Sequence, residues 1–367
     1  MIRNNLLLRI GESQFSGSLF LKKNKRPIKT KISNKKLLVM RVPPMAPTTK
    51  NLWLSQLDNL LHSEMPKNND SLAIAANYHF KNPGKAFRAQ LAISSGTALS
   101  LDNKDNIHWA AACELLHNAS LIHDDISDAS THRRGQKSIN EFFGSDMALC
   151  LGDWMVAKAF ELAARNTQQG GQLTALLAQA MQETCSGQIS DTSQRQCADL
   201  GEWQKIATGK TAPLLIAPIK GAAIAAGIIN TYENSDWLND LDRLVSFCGL
   251  AYQGYNDIDD IIPSSHKSCD LDGRKPNLVV SLFAAQGTSQ TDFNQWYCSN
   301  DNRKLAHWQQ RIASSVVILQ ANQLVDDWLM QAEQLVTSLP LALQSVTAGL
   351  VESVKKTTLE KSQCRIA

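Results

Sequence analysis

The sequence predicts an all-α protein, a single large helical bundle, on three observations. From about residue 51 onward, apolar residues recur at three- and four-residue spacing. Strand-like alternation is scarce, and alanine crowds the windows 109–120, 156–164 and 221–226, which favours closely packed helices. The helical spacing begins with Trp53, Leu57, Leu60 and Leu61 and returns in Leu173, Leu176, Leu177 and Met181. Breaks fall at Pro83-Gly84, Arg134-Gly135, Gly170-Gly171, Pro263 and Gly273, and helical spacing resumes after each, giving about ten or more helices. Pro213 and Pro218 are expected to kink or interrupt their segment, exposing backbone groups beside Lys210-Thr211 to a ligand.

The chain has 367 residues and 43% hydrophobic content, ample for a substantial core. Its net charge of +3 hides an asymmetry: residues 1–50 carry twelve Lys/Arg against the single Glu12, leaving 25 bases against 33 acids downstream. The chain is therefore divided into a basic extension, 1–50, and an acidic helical domain, 51–367. The extension is read as a disordered tail or a start placed too early, with Met40 or Met45 as the true beginning; an organellar transit peptide is the alternative. An acidic body argues against nucleic-acid binding, which needs clustered cations. The apolar stretches are interrupted by Lys210, Lys220, Arg243 and Asp257, so no membrane span is expected. Eight scattered cysteines without a CxxC pair read as reduced, mostly buried thiols of a cytoplasmic protein.

Two acidic clusters stand 132 residues apart. In Glu114-Leu-Leu-His117-Asn-Ala-Ser-Leu-Ile-His-Asp124-Asp125-Ile-Ser-Asp128, the frame is helical and Asp124 and Asp128 share a face at i and i+4. Asp125 lies about 100° further round, and three carboxylates so close repel unless a cation intervenes. A lone DDxxD also fits a solvated acidic face at a helix end. The second cluster, Tyr252-Gln253-Gly254-Tyr255-Asn256-Asp257-Ile258-Asp259-Asp260, repeats the i, i+4 relation in Asn256 and Asp260. Hard oxygen ligands projecting from facing helices suit Mg²⁺, which takes one or two carboxylates plus substrate phosphates, so a diphosphate would complete the site.

Cations stand at four separated points: Lys85/Arg88, Arg133/Arg134, Lys210 and Lys267/Lys275. The turn at Pro83-Gly84 opens a helix whose N-terminus adds favourable partial charge. Arg133 and Arg134 follow where the acidic helix should end, and arginine grips phosphate oxygens in pairs.

Taken in order, these blocks, with Gly152-Asp153 and Gly187-Gln188, resemble the polyprenyl synthetase family, which includes farnesyl, geranylgeranyl and longer-chain trans-prenyl diphosphate synthases. The likeness runs from about Lys85 to Asn277. It implies the isoprenoid synthase fold with a central diphosphate and prenyl cavity. It also implies condensation of isopentenyl diphosphate with an allylic diphosphate, about three Mg²⁺ per site, a homodimer and possible product release at a membrane surface. By the resemblance Asp124, Asp125 and Asp128 bind metal and allylic diphosphate, and Asn256, Asp257 and Asp260 form the second metal motif. Gly84, Lys85, Arg88, His117 and Arg134 would bind isopentenyl diphosphate; Arg133, Lys210, Lys267 and Lys275 would hold the allylic diphosphate. Thr211 and Gln253 would lie near the developing carbocation and departing diphosphate. Small Ala119 and Ser120, five and four residues before Asp124, would leave the floor open for a product longer than farnesyl, and Ala119→Phe would shorten it.

The chain departs from the family pattern in Asn256 where aspartate is usual, in Asn277 where threonine is usual, in the first basic motif Gly-Lys-Ala-Phe-Arg-Ala, and in a shortened Lys267 region. Two alternatives therefore accompany the synthase reading: a class I terpene cyclase, whose second motif begins Asn-Asp, and a non-catalytic partner subunit of a heteromeric synthase.

Overall fold

The computed structural model describes residues 47–363 apart from 68–69, 83, 193–196, 230–235, 263–267, 287–290 and 300. Most of the basic extension, Pro83, Pro263, Lys267 and Cys364 lie outside the described residues. The described helices are α1 (Pro47–Glu64), α2 (Ser71–Phe80), α3 (Phe87–Ala98), α4 (Asn103–Ser127), α5 (Ile139–Phe143), α6 (Ser145–Ala164), α7 (Gly170–Thr192) and α8 (Leu200–Ala225). They continue as α9 (Asp236–Ile261), α10 (Cys269–Gly273), α11 (Leu278–Ala284), α12 (Thr291–Cys298), α13 (Leu305–Ala313), α14 (Val317–Leu335) and α15 (Leu341–Gln363). A two-stranded antiparallel ribbon, β1 (His132–Arg133) and β2 (Gln136–Lys137), is the only sheet among the described residues. The boundary drawn at residue 50 falls inside α1.

Helix α4 is central because it is apolar almost all round: Ile107, Trp109, Ala110, Ala111, Ala112, Leu115, Leu116, Ala119 and Ile122 are all buried. Asp102 caps it, accepting from the Lys104 N–H at 2.8 Å, and its 25 residues span roughly 37 Å. The alanines and Gly152 let α6 approach; a Cβ at Gly152 would stand 2.2 Å from the His123 ring.

Helix α8 begins in a capping box, with Asp199 accepting from Glu202 N–H at 2.8 Å and Glu202 from Asp199 N–H at 3.1 Å. It then continues through Pro213 and Pro218, so that of the kink or interruption expected from sequence the interruption does not occur. Each proline removes one ladder bond, but both are buried, and packing on α3, α7 and α9 outweighs the loss. The carbonyl that Pro213 leaves without its i+4 donor belongs to Gly209, where α7 crosses so closely that a Cβ on Gly187 would sit 2.5 Å from that carbonyl carbon.

Two apolar clusters flank α8. Leu214, Ala217 and Ala222 join Trp109, Leu115, Leu151 and Leu177 on the α4 side. Trp203, Leu215 and Ile219 join Leu244, Ile258, Phe293 and Trp328 on the other, where Trp203 and Trp328 stack with centroids 5.7 Å apart. Lys210 and Thr211 are thereby carried between the halves of the core. No described helix is long and apolar enough to cross a membrane. The seven described cysteines are unpaired, but only Cys113 and Cys248 are fully buried and four are exposed, so the expectation of mostly buried thiols is corrected.

Candidate active site

The first acidic cluster occupies the last turn of α4, with Asp128 as its C-cap. That end of a helix carries partial negative charge, so three carboxylates there need cations. Arg133 from β1 answers Asp125, its Nη2 2.5 Å and its Nε 3.1 Å from Oδ1. Lys275 Nζ stands 3.0 Å from Asp128 Oδ2, and buried Gln188 of α7 donates to Asp128 Oδ1 at 3.4 Å. Lys210 pairs with Asp191 at 2.7 Å and lies close enough to Asp124 to favour its charge. Burial nevertheless pushes Asp124 up to about 6, helped by Asp128 and Asp125.

A second cationic group forms about two turns back along α4, around His117, which stands seven residues before Asp124 and so on nearly the same face. Arg134 and Gly135 are the two residues between β1 and β2, with φ of +52° and +77°, the sign pattern of a type I′ hairpin turn. A non-glycine residue held there is strained, and the two arginines have different partners, Arg133 on Asp125 and Arg134 on Asn82 and Asn118. Arg134 lies over Gly84, where a Cβ would stand 2.8 Å from Cζ, and its Nη1 donates to Asn82 O at 3.1 Å and Asn118 Oδ1 at 3.4 Å. Arg88 Nη1 and His117 Nε2 are 2.9 Å apart. Gly84, Arg88, His117 and Arg134 are thus brought together, with Lys85 exposed at the rim.

Behind this group lies buried Glu114, which accepts from Ala89 N–H and Asn118 Nδ2, both at 3.2 Å. His79 Nε2 is 2.9 Å from Asn118 Oδ1, and burial holds its imidazole down at about 4. Unfolding would let His79 take up a proton between pH 4 and its ordinary 6.5. Its contribution is therefore complete above pH 6.5 and lost as pH falls toward 4, up to about 3 kcal/mol. Denaturant titrations at pH 7 and 4.5 should show a smaller acid loss in His79→Gln than in the unaltered chain.

The carboxylates of the second acidic cluster bind protein groups. Asp257 is 1% exposed. Its Oδ2 accepts from Leu278 N–H at 2.7 Å and Trp203 Nε1 at 2.8 Å, and its Oδ1 from Gln253 Nε2 at 2.9 Å. Burial holds its carboxyl well above the usual range. The amide N–H of Gln253 is thus engaged by Asp257. Asp260 caps α10, accepting from Cys269 N–H at 2.9 Å, Asp270 N–H at 3.3 Å and the Ser268 hydroxyl. Asn256 is half-buried on the face it shares with Asp260. Asn277 in the threonine position caps α11 through Oδ1 while its Nδ2 donates to Asp270 Oδ2 at 3.0 Å. Asp270, absent from the sequence-derived set, is pushed up to about 7 by burial and by Asp260.

Among the described residues no three His, Cys, Asp or Glu side chains converge tightly enough to hold a metal by themselves. Asp124 and Asp128 fit a Mg²⁺ that draws its remaining oxygens from a diphosphate and water; Asp257, its oxygens spent on three donors, does not. Thr211 packs its methyl on α9, where a Cβ at Gly249 would be 3.5 Å away. Of the two expected floor residues, Ala119 is 0% exposed, while Ser120 keeps slight exposure and donates to His117 O at 2.8 Å. A cavity of about 620 Å³ opens among α7, α8 and α9, beside Leu176, Glu183, Gly187, Lys205, Ala212 and Val245.

Sequence reading missed Asp191, Asp270, Asn118, His79 and Glu114. Asp191 was within reach, since it stands at i+3 from Gln188 on one face of α7.

The family described as Polyprenyl synthetase matches residues 69–314. The geranylgeranyl pyrophosphate synthase of Geoglobus acetivorans is 29% identical over 62% of this chain and 72% of its own length. The (2E,6E)-farnesyl diphosphate synthase of Mycobacterium tuberculosis is 33% identical, over 62% of this chain and 61% of its own. In fold, the chain is similar to a decaprenyl diphosphate synthase from Rhodobacter capsulatus, with TM-score 0.73 and 20% identity, covering 84% of this chain and 98% of that one. It is likewise similar to a Caulobacter crescentus polyprenyl synthase complexed with calcium and isoprenyl diphosphate, with TM-score 0.70 and 21% identity, covering 82% and 94%. With the all-helical isoprenoid synthase fold and the match over two thirds of its length, the chain belongs to the polyprenyl synthetase family, the enzymes that are polyprenyl diphosphate synthases.

Proposed function

We propose that the chain condenses isopentenyl diphosphate with an allylic prenyl diphosphate to give a longer all-trans polyprenyl diphosphate, geranylgeranyl or longer. The observation that carries this reading is the pair of separate cationic groups along α4, Arg133/Lys210/Lys275 at its terminus and Gly84/Arg88/His117/Arg134 about two turns back. Two diphosphates need two such groups; a cyclase, acting on one diphosphate, needs one. The Caulobacter polyprenyl synthase, which holds calcium together with isoprenyl diphosphate, supports dependence on a divalent metal.

Magnesium, when bound by Asp124 and Asp128, would neutralise diphosphate charge. Arg133, Lys210 and Lys275 stabilise the charge that develops as the allylic C–O bond breaks and its electron pair leaves with diphosphate. The isopentenyl double bond attacks the allylic cation, forming the new C–C bond. Loss of a proton to the released diphosphate restores a double bond. Gly84, Arg88, His117 and Arg134 hold the isopentenyl diphosphate in line for that attack. A homodimer and a cytoplasmic location belong to the same proposal.

The test is incubation of purified protein with Mg²⁺, isopentenyl diphosphate and farnesyl or geranylgeranyl diphosphate, followed by product analysis. A longer diphosphate supports the proposal. A hydrocarbon or alcohol from the allylic substrate alone would mean a cyclase, and activity only with a second subunit would mean a partner role. Ser120→Phe should shorten the product by at least one isoprene unit. Ala119→Phe, forced into filled space, should chiefly destabilise, by about 1–3 kcal/mol.

A further inference from the structure

Asn118 sits where the isopentenyl diphosphate group proposed above is tied together, yet it faces no substrate. It is fully buried, one residue after His117, and all four of its polar contacts are to neighbouring protein groups. Its Nδ2 donates to the Glu114 backbone oxygen at 2.8 Å and to Glu114 Oε1 at 3.2 Å. A backbone carbonyl can only accept, so the amide orientation is fixed and Oδ1 is turned the other way. There it meets His79 Nε2 at 2.9 Å and Arg134 Nη1 at 3.4 Å. One amide therefore joins the carboxylate behind Arg88 to the guanidinium over Gly84.

The surrounding atoms show which groups this junction serves. Glu114 is held by Ala89 N–H, at the start of α3 next to Arg88, and its charge is the favourable partner of Arg88. Arg88 Nε and His117 Nδ1 are buried without a protein partner among the described residues, as groups awaiting an anion are. His79, also buried, donates from α2 and fixes the amide from behind. Arg134 needs such support because its backbone is held at φ +52° at the tip of a two-residue turn.

We infer that Asn118, backed by His79, is a positioning residue that sets Arg134 and the Glu114–Arg88 pair at the spacing of one diphosphate. It bonds to none of Arg133, Lys210 and Lys275, so its effect is confined to isopentenyl diphosphate. This rests on the synthase reading, and the experiment separates the two. In Asn118→Ala the KM for isopentenyl diphosphate should rise about tenfold, the effect of losing one hydrogen bond to a charged group. The KM for the allylic substrate and kcat should stay within about twofold, since Arg133, Lys210 and Lys275 are held by other partners. His79→Leu should raise the same KM, and His79→Gln, which keeps an N–H donor, should restore it. A purely structural role would lower the melting temperature and shift both KM values together, with no rescue by glutamine.

The inference is overturned if the two substrates are affected alike, if neither KM moves, or if His79→Gln behaves as His79→Leu. Should Asn118→Ala fail to fold, the His79 pair gives the same reading. If the unaltered protein neither elongates an allylic primer nor binds isopentenyl diphosphate in calorimetry, the synthase reading falls and this inference with it. If it does both and the variants match it, only the inference falls.

Discussion

Asp124→Asn eliminates chain elongation, with kcat lowered by at least about a thousandfold, while the protein melts no lower than the unaltered chain. The two halves of this result have one cause. Asp124 sits at the negative end of α4 with Asp125 and Asp128 nearby, and burial already raises its carboxyl to about 6, so its charge is held at some expense to the fold. A neutral amide of the same shape relieves that repulsion. It also removes one of the two carboxylates that share a face toward the diphosphate, and Asp128 alone, already bonded to Lys275 and Gln188, is a poor substitute. Turnover by product assay and thermal melting on the same sample check both halves. Retention of more than about a tenth of the activity would remove Asp124 from the metal site.

Asp257→Ala gives the reverse pattern, a loss of roughly 3 kcal/mol or more in folding stability. The side chain joins three helices: it accepts from Trp203 of α8, from Gln253 one turn earlier in α9, and from the first N–H of α11. Truncation leaves the Trp203 and Leu278 N–H groups buried without an acceptor, each costing about 1–3 kcal/mol. Asp257→Asn should be only partly better, because its NH₂ must face one of the three donors. Urea unfolding reads this directly. A variant of normal stability whose activity is recovered by excess Mg²⁺ would return Asp257 to the metal set.

The opposite fates of these two aspartates show how far the sequence reaches. The first motif was legible because α4 ends there: helical spacing put Asp124 and Asp128 on one face, and the turn residues Arg134-Gly135 marked where the helix stops. The second was legible only in part, because DDxxD-like spacing says which residues share a face but not where that face looks. The apolar stripe through Leu250, Gly254 and Ile261 carries Asp257 into the core. That phase was present in the sequence, overruled by the motif. Pro213 and Pro218 do not interrupt α8 for a related reason, since their cost is local and the packing that offsets it is not.

By itself the sequence determined the all-helical class, the acidic turn at the end of α4 and the family, because these depend on spacing and local chemistry. Only the tertiary structure decided that Asp257 and Asp260 cap neighbouring helices, that Ala119 has no space beside it, and that Asn118 ties Arg134 to Glu114. Each of these depends on what another helix, far along the chain, brings within hydrogen-bond or van der Waals distance, and no local pattern encodes that meeting.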